Sequence, residues 1–237
     1  GHIHNFTPLI WTELFFFLFP LNFFIYGIND IYDRESDEIN PRKGGVQGAI
    51  LRKDEINRVK WLSGGGIFIF LFISALSKNW EHLFFALIFV LAGLLYSHPF
   101  LRFKEIPFLD SIVGGPLVYL TPALIAFTTH SSFFDLPLRA LLIALPFIGF
   151  HAVSTLKDEK YDKMAGMCST GIFLGRRKTL LFALLLTGLP LIYFVAAKDV
   201  FITSILGTIT AGIILMVFLK LKQDDDLILP ITAIFVF

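Results

Sequence analysis

The sequence predicts an all-α membrane protein, a polytopic bundle of transmembrane helices. Of its 237 residues, 55% are hydrophobic and 16% are charged, whereas an ordinary soluble domain has roughly 25% charged residues. The apolar residues form long runs, several of them close to the ~20 residues that cross a bilayer core. These runs are continuous rather than alternating, which favours helices, because a lipid-embedded helix satisfies its own backbone hydrogen bonds. The composition excludes disordered and fibrous proteins.

Eight candidate spans follow one another between breaks that are charged or rich in Pro and Gly. They cover about 8–28, 61–77, 80–96, 111–129, 137–156, 179–197, 200–219 and a last span from 227. We expect all of them to belong to one transmembrane domain over residues 1–237. Because the chain begins with Gly1 and stops inside an apolar run at Phe237, we expect this domain to be incomplete at both ends.

Lys and Arg are concentrated in alternate loops. The loops at 29–60, 97–110, 157–178 and 220–226 hold 17 of the 20 basic residues. The positive-inside rule therefore places these loops in the cytoplasm, in agreement with strict alternation of the spans. The same loops hold 15 of the 19 acidic residues, which that rule does not require. We infer that the cytoplasmic face uses carboxylates, while a net charge of +1 gives no indication of a nucleic-acid partner.

The first acidic cluster leads directly out of the first apolar run. It reads Asn29-Asp30-Ile-Tyr-Asp33-Arg-Glu-Ser-Asp37. Positions 30, 33 and 37 have the spacing i, i+3, i+7, so on a continuing helix the three carboxylates share one face.

The second acidic cluster is Asp158-Glu-Lys-Tyr-Asp162, in which Asp158 and Asp162 are four residues apart. Both clusters are predicted on the same side of the bilayer, so we expect their acidic faces to meet across one cavity. Packed carboxylates near low dielectric need a cation, and Mg²⁺ is suited because it binds carboxylate and phosphate oxygens together. The clusters therefore predict metal ions that bridge to a diphosphate, although each cluster alone could be a solvated helix end.

Basic residues that could bind the phosphate groups lie close to both clusters in the sequence. The candidates are Arg42, Lys43, Arg102 and Lys104. Arg suits bidentate contacts to phosphate oxygens, and Lys acts as a point charge.

At these residues the sequence resembles the UbiA superfamily of intramembrane prenyltransferases. Its first motif, N-D-x-x-D-x-x-x-D, and its second, D-x-x-x-D, are both matched completely by the two clusters. The resemblance implies a nine-helix fold of which this chain contains helices two to nine. It also implies that Asp30, Asp33, Asp158 and Asp162 are the catalytic carboxylates, that Asn29 and Asp37 complete the metal ligands, and that Mg²⁺ is the cofactor.

Within the superfamily the sequence is most similar to lycopene elongases, which extend a carotenoid by a five-carbon prenyl unit. The similar windows cover under a third of the chain, within 24–43, 96–111 and 151–175. The resemblance implies an isoprenyl diphosphate as donor and a lipophilic acceptor such as a carotenoid. It implies an integral protein of a prokaryotic cell membrane whose active site faces the cytoplasm.

Four side chains are candidates for the substrate pocket under this resemblance. An allylic carbocation must be shielded from water, and aromatic rings facing it would stabilise its charge. The candidates are Tyr26, Tyr96 and Tyr119, together with His151, which precedes the second motif by seven residues.

Three alternatives remain open from the sequence. The acceptor could be a quinone precursor, a tetrapyrrole or a glycerol-based lipid. Transferases of phospholipid head groups also use paired Asp motifs, but their D-G-x-x-A-R element is absent. A cation transporter would also place acidic residues in a membrane, but here the acids are expected at one interface and no inverted repeat is visible.

Overall fold

Every regular element is helical in the structure, a computed structural model that describes residues 8–41, 43–44 and 48–218. This confirms the all-α class. The helices are α1 (Pro8–Leu18), α2 (Pro20–Tyr32), α3 (Arg34–Glu38), α4 (Lys53–Leu76), α5 (Trp80–Ser97), α6 (Leu109–Thr128), α7 (Leu138–Leu142), α8 (Ala144–Ser154), α9 (Glu159–Met164), α10 (Thr170–Ala196) and α11 (Val200–Phe218). Short 3-10 turns lie at Phe103–Glu105, Phe133–Asp135 and Thr155–Lys157.

Seven of the eight predicted spans fall on these helices, and the eighth, from residue 227, lies outside the described residues. Among the described residues, five helical segments are long and apolar enough to cross a membrane, or six if the bent α6 counts as one span. A span can consist of two consecutive helices: α1 and α2 together form one span of 25 residues. The chain is therefore an integral membrane protein.

Two helices begin earlier than the apolar runs indicate. Helix α4 starts at Lys53, where the Glu55 carboxylate accepts a hydrogen bond from the backbone N–H of Arg52 at 2.8 Å. This cap lets the helix continue through charged residues outside the apolar run. Helix α10 starts at Thr170 and is interrupted at Gly175, whose φ of 71° is accessible to glycine.

The described chain divides into two compact units. Unit 1 contains residues 1–102 and 117–136, and unit 2 contains 103–116 and 137–237. In unit 1, α2 packs against α1, α4 and α5. Its buried core is rich in phenylalanine and includes Phe16, Phe24, Phe70, Phe85 and Phe89.

In unit 2, α10 packs against α8 and α11. The core between these helices contains Val153, Leu180, Ala183, Phe194 and Ile209. Glycine permits a close approach of the first half of α6 to α8. A Cβ atom added at Gly115 would lie 2.7 Å from the carbonyl carbon of Phe147.

We expect Gly115→Ala to destabilise unit 2 by about 1–3 kcal/mol, because the methyl group must displace backbone that cannot move without repacking α8. Gly188→Ala is the matched control, since a Cβ at Gly188 in α10 meets nothing within 4 Å. The control should be neutral or stabilising by up to about 1 kcal/mol. Thermal unfolding of the purified variants in detergent measures both changes. Equal stability of the two variants would contradict the close approach.

Candidate functional site

The first acidic cluster lies where α2 ends and α3 begins. The sequence predicts one continuing helix, but the helix is interrupted at Asp33, which has φ −96° and ψ 0°. The i to i+4 hydrogen bonds persist across this break, with Asp33 N donating to Asn29 O at 2.9 Å and Asp37 N donating to Asp33 O at 2.8 Å. The carboxylates therefore keep a near-helical register although the helix is broken.

Each carboxylate of this cluster contacts a different part of unit 1. Asp30 Oδ2 accepts a hydrogen bond from the backbone N–H of Ala49 at 3.2 Å. Asp33 Oδ1 lies 3.6 Å from Nη2 of Arg102, and Asp37 Oδ1 lies 3.2 Å from Nζ of Lys43. Two of the predicted phosphate-binding cations thus lie beside the predicted metal ligands.

Asp37 has the features of a carboxylate that can accept a metal ion. It is 5% exposed, and its Oδ2 atom has no hydrogen-bond partner among the described residues. Burial raises the pKa of Asp37 to about 6; Lys43 opposes this rise, while Asp33 and Asp30 add to it. A buried carboxylate oxygen without a donor is costly, and a cation bound there would remove that cost.

Arg102 and Asn29 are both held in place by neighbours in unit 1. Arg102 has a φ of 47°, a left-handed conformation that costs a non-glycine residue about 1 kcal/mol or more. Its Nη2 also donates to the backbone carbonyl of Tyr32 at 3.4 Å. Ser97 Oγ donates to Asn29 Oδ1 at 2.9 Å. The end of α5 and the loop after it therefore orient two candidate residues.

The second acidic cluster belongs to unit 2. Asp158 immediately precedes α9, and the N–H of Asp162 donates to the Asp158 carbonyl at 2.9 Å, so the two side chains are one helical turn apart. The 3-10 turn before the cluster is tied to α10, because Gly171 N donates to Thr155 Oγ1 at 3.1 Å. A side chain at Gly171 would collide with this hydroxyl.

Asp110 is a buried carboxylate whose structural role the sequence analysis missed. It is fully buried at the start of α6 and accepts hydrogen bonds from Thr170 N at 2.8 Å, from the Thr170 hydroxyl and from Ser111 N at 2.7 Å. Thr170 Oγ1 in turn accepts a hydrogen bond from Phe108 N at 2.6 Å. Asp110 therefore joins the start of α6 to the start of α10, directly after the second motif.

Glu13 and His82 form a second buried polar pair that sequence reasoning missed. Glu13 is 4% exposed and His82 is fully buried, and Glu13 Oε1 lies 2.9 Å from His82 Nε2. The expectation that acids lie at one interface overlooked Glu13, which is inside the first span. An acid within an apolar run was the signal that could have identified it.

The remaining candidate residues are distributed over both units. In unit 1, Tyr26 is 53% exposed, Tyr96 lies near the end of α5, and Tyr119 lies in the second half of α6. In unit 2, Lys104 lies in a 3-10 turn and His151 in α8. Arg42 lies outside the described residues.

The donor set fits a hard divalent cation. Across the part of the chain that the structure describes, no three acidic, histidine or cysteine side chains form a ready-made metal site. Mg²⁺ does not need one, because it usually binds one or two carboxylates and completes its shell with phosphate oxygens and water. The oxygen ligands in Asn29, Asp30, Asp33 and Asp37 match this preference.

Comparisons with known proteins bear on the family and on the fold. The profile of the UbiA prenyltransferase family matches residues 2–233. A relative named lycopene elongase/hydratase, from Corynebacterium glutamicum, is 36% identical over 195 residues, which are 77% of this chain and 67% of the relative. By fold, the chain is similar to an apo UbiA homolog from Aeropyrum pernix K1, with a TM-score of 0.70 at 20% identity over 98% of this chain and 88% of the homolog. A UbiA homolog from Archaeoglobus fulgidus bound to GPP and Mg²⁺ gives a TM-score of 0.68 at 22% identity, covering 94% and 85% of the two chains.

We expect Ser97→Ala to lower the affinity for Mg²⁺ about tenfold, because Asn29 loses the hydrogen bond that orients its side-chain oxygen. Calorimetric titration of Mg²⁺ in the presence of pyrophosphate measures the change. Ser77→Ala is the control, since Ser77 Oγ donates to Ser74 O at the end of α4, at 2.7 Å, and touches no candidate residue. Equal Mg²⁺ affinity in the two variants would contradict the role of this contact.

Proposed function

The chain belongs to the UbiA prenyltransferase family, and we propose that it transfers a prenyl group from an allylic diphosphate to a carotenoid hydrocarbon such as lycopene. The observation that carries the proposal is the complete pair of aspartate motifs, at residues 29–37 and 158–162, within a family match over nearly the whole chain. The carotenoid acceptor is supported by the name of the Corynebacterium relative. Family membership favours an enzyme over a cation transporter.

We propose that both motifs contribute to one Mg²⁺–diphosphate site. Asn29, Asp30, Asp33 and Asp37 of the first motif and Asp158 and Asp162 of the second are the proposed metal ligands. Bound Mg²⁺ would neutralise the diphosphate and favour its departure from the allylic carbon. The orphaned Oδ2 atom of Asp37 supports this assignment.

The cations of the chain would bind the remaining phosphate charge. Arg102 and Lys43 lie beside Asp33 and Asp37, and Lys104 follows Arg102 by two residues. They balance the carboxylates when no diphosphate is present and can turn to phosphate oxygens when it binds. Arg42, by its position next to Lys43, is proposed to add to this charge.

The apolar part of the site would protect the allylic cation. We propose that Tyr26, Tyr96 and Tyr119 face the prenyl group, since the electron-rich face of an aromatic ring stabilises a cation. Exclusion of water by the surrounding apolar helices would prevent hydrolysis of the cation before the acceptor attacks.

Analysis of the reaction products identifies the acceptor that the protein prenylates. The full-length protein, reconstituted in liposomes with Mg²⁺, is supplied with dimethylallyl or geranylgeranyl diphosphate and with one acceptor at a time: lycopene, a quinone precursor, a tetrapyrrole or a glycerol lipid. With dimethylallyl diphosphate, mass spectrometry of the lipid extract should show lycopene extended by one or two five-carbon units. A prenylated product from another acceptor, and none from lycopene, would overturn the carotenoid assignment.

We expect Asp30→Asn and Asp158→Asn each to reduce prenyl transfer at least about 100-fold. Each variant would lose a Mg²⁺ ligand, and the bound Mg²⁺ supplies the positive charge that compensates the departing diphosphate in the transition state. The controls are Glu38→Gln and Glu159→Gln, which remove carboxylates of the same segments that pair with Arg34 and Lys163. Steady-state turnover measures the effect, and wild-type turnover in either Asp variant would refute the role.

Binding of a diphosphate analogue with Mg²⁺ tests whether the motifs share one ligand. If they do, each single substitution should lose most of the affinity and the double variant should lose little more, since effects in one coupled site are not additive. Full additivity would instead indicate two independent sites.

We propose that the motifs face the cytoplasm of a prokaryotic cell, as the distribution of Lys and Arg predicts. Cys168 is the natural reporter, because it is the single cysteine of the chain and follows the second motif. A membrane-impermeant maleimide should label it in inside-out vesicles and not in spheroplasts. The double variant Cys168→Ser, Asp135→Cys should show the opposite pattern, because Asp135 is an exposed residue of a connection predicted outside. Labelling of Cys168 from outside would refute this orientation.

A further inference from the structure

The first turn of α10 is capped by side chains from other elements. The first N–H groups of a helix have no acceptor within the helix. Ser169 directly precedes α10 but does not cap it, and its hydroxyl has no hydrogen-bond partner among the described residues. Instead, Thr170 N donates to Asp110 Oδ2 at 2.8 Å, and Gly171 N donates to Thr155 Oγ1 at 3.1 Å. The start of α6 and the 3-10 turn before the second motif thus provide the acceptors.

The contact between Thr155 and Gly171 closes a loop in the chain. The two residues are 16 positions apart, and the second motif, Asp158 and Asp162, lies between them. Thr155 Oγ1 also donates to Ala152 O at 2.8 Å, so the hydroxyl is fixed to the end of α8. Glycine is required at position 171, because a Cβ atom there would collide with this hydroxyl. Closing the base of a loop reduces the number of conformations that the loop can adopt.

The other end of this loop is fixed at Thr170. Its hydroxyl donates to Asp110 Oδ1 and accepts a hydrogen bond from Phe108 N at 2.6 Å. Phe108 has a φ of 68°, which is uncommon for a residue with a side chain, and this hydrogen bond stabilises it. Asp110 is fully buried, and both of its carboxylate oxygens accept hydrogen bonds. The carboxylate is therefore occupied as a cap of α10, where negative charge is favourable.

We propose that Thr155, Thr170 and Asp110 are positioning residues, which set the affinity of the second motif for Mg²⁺ and diphosphate by fixing both ends of the segment that carries it. This inference rests on the proposed function, in which Asp158 and Asp162 are metal ligands. Mg²⁺ requires near-ideal octahedral geometry, and contacts that orient its ligands strongly affect its affinity. A segment whose ends are already fixed loses less conformational freedom when the metal binds.

The test replaces Thr155 in the full-length protein. Thr155→Val keeps the branched shape but removes the hydroxyl, and we expect the Kd for Mg²⁺ in the presence of pyrophosphate to rise about tenfold. Thr155→Ser keeps the hydroxyl and should stay within about twofold of wild type. The control is Thr187→Val, which removes a fully buried hydroxyl of α10 that donates to Ala183 O at 2.7 Å and should leave the Kd unchanged. Calorimetric titration measures all four proteins.

Steady-state kinetics in liposomes separates positioning from a general loss of structure. In Thr155→Val the KM for dimethylallyl diphosphate should rise about tenfold. The kcat at saturating Mg²⁺ and diphosphate should stay within about threefold of wild type, because the lost interaction contributes equally to the ground state and the transition state. A general structural defect would instead lower kcat at every Mg²⁺ concentration.

Two further variants test the same contact independently. Gly171→Ala keeps the Thr155 hydroxyl but displaces it, so its Kd for Mg²⁺ should rise at least about tenfold. Gly188→Ala, also in α10, places its Cβ in open space and should bind as wild type. In a background that lacks both carboxylates, Asp158→Asn with Asp162→Asn, Thr155→Val should change the remaining affinity less than about twofold, because Thr155 acts through them.

Wild-type Mg²⁺ affinity in Thr155→Val overturns the proposal, as does an equal loss of affinity in Thr187→Val. An effect of Thr155→Val that persists undiminished without the two carboxylates also overturns it. If Thr155→Val does not fold, the Mg²⁺ affinity of Gly171→Ala decides in the same way. A wild-type protein that binds Mg²⁺ with pyrophosphate but prenylates no acceptor refutes the proposed function alone, and one that binds no Mg²⁺ with pyrophosphate refutes both.

Discussion

Carboxylates at the ends of apolar helices need nearby positive charge, and this constraint organises unit 1. Asp33 and Asp37 are almost completely buried, and an uncompensated buried charge would cost several kcal/mol. The chain supplies Lys43 and Arg102 from two separate loops. The left-handed backbone of Arg102 is part of the cost of this arrangement. Cations placed in this way offset the charge of the acids.

In unit 2, a buried carboxylate is stabilised by hydrogen bonds and not by a cation. Asp110 accepts its hydrogen bonds from Thr170 and from its neighbour Ser111, with no cation required. This contrast separates two kinds of acid in one protein. An acid surrounded by fixed donors, such as Asp110, joins helices, whereas an acid with a cation on one oxygen and no donor on the other, such as Asp37, is suited to bind a metal.

The two histidines of the described helices have different surroundings. Glu13 Oε1 lies 2.9 Å from His82 Nε2, far along the span from the first motif, and both side chains are buried. His151 lies two turns from the second motif beside a hydroxyl and a buried carboxylate. Both units therefore place polar side chains within their apolar helices.

The sequence by itself determined the helical class, the positions of seven helical segments, both motifs and the family, because apolar run length and i, i+4 spacing are local properties of the chain. It also indicated Lys43 and Arg102 as cations near the acids. It did not determine the break at Asp33, the left-handed backbone of Arg102, the burial of Asp110 or the Glu13–His82 pair. Those features depend on contacts between residues far apart in the chain, for example 60 positions for Asp110 and Thr170, and only the packing of the helices brings such residues together.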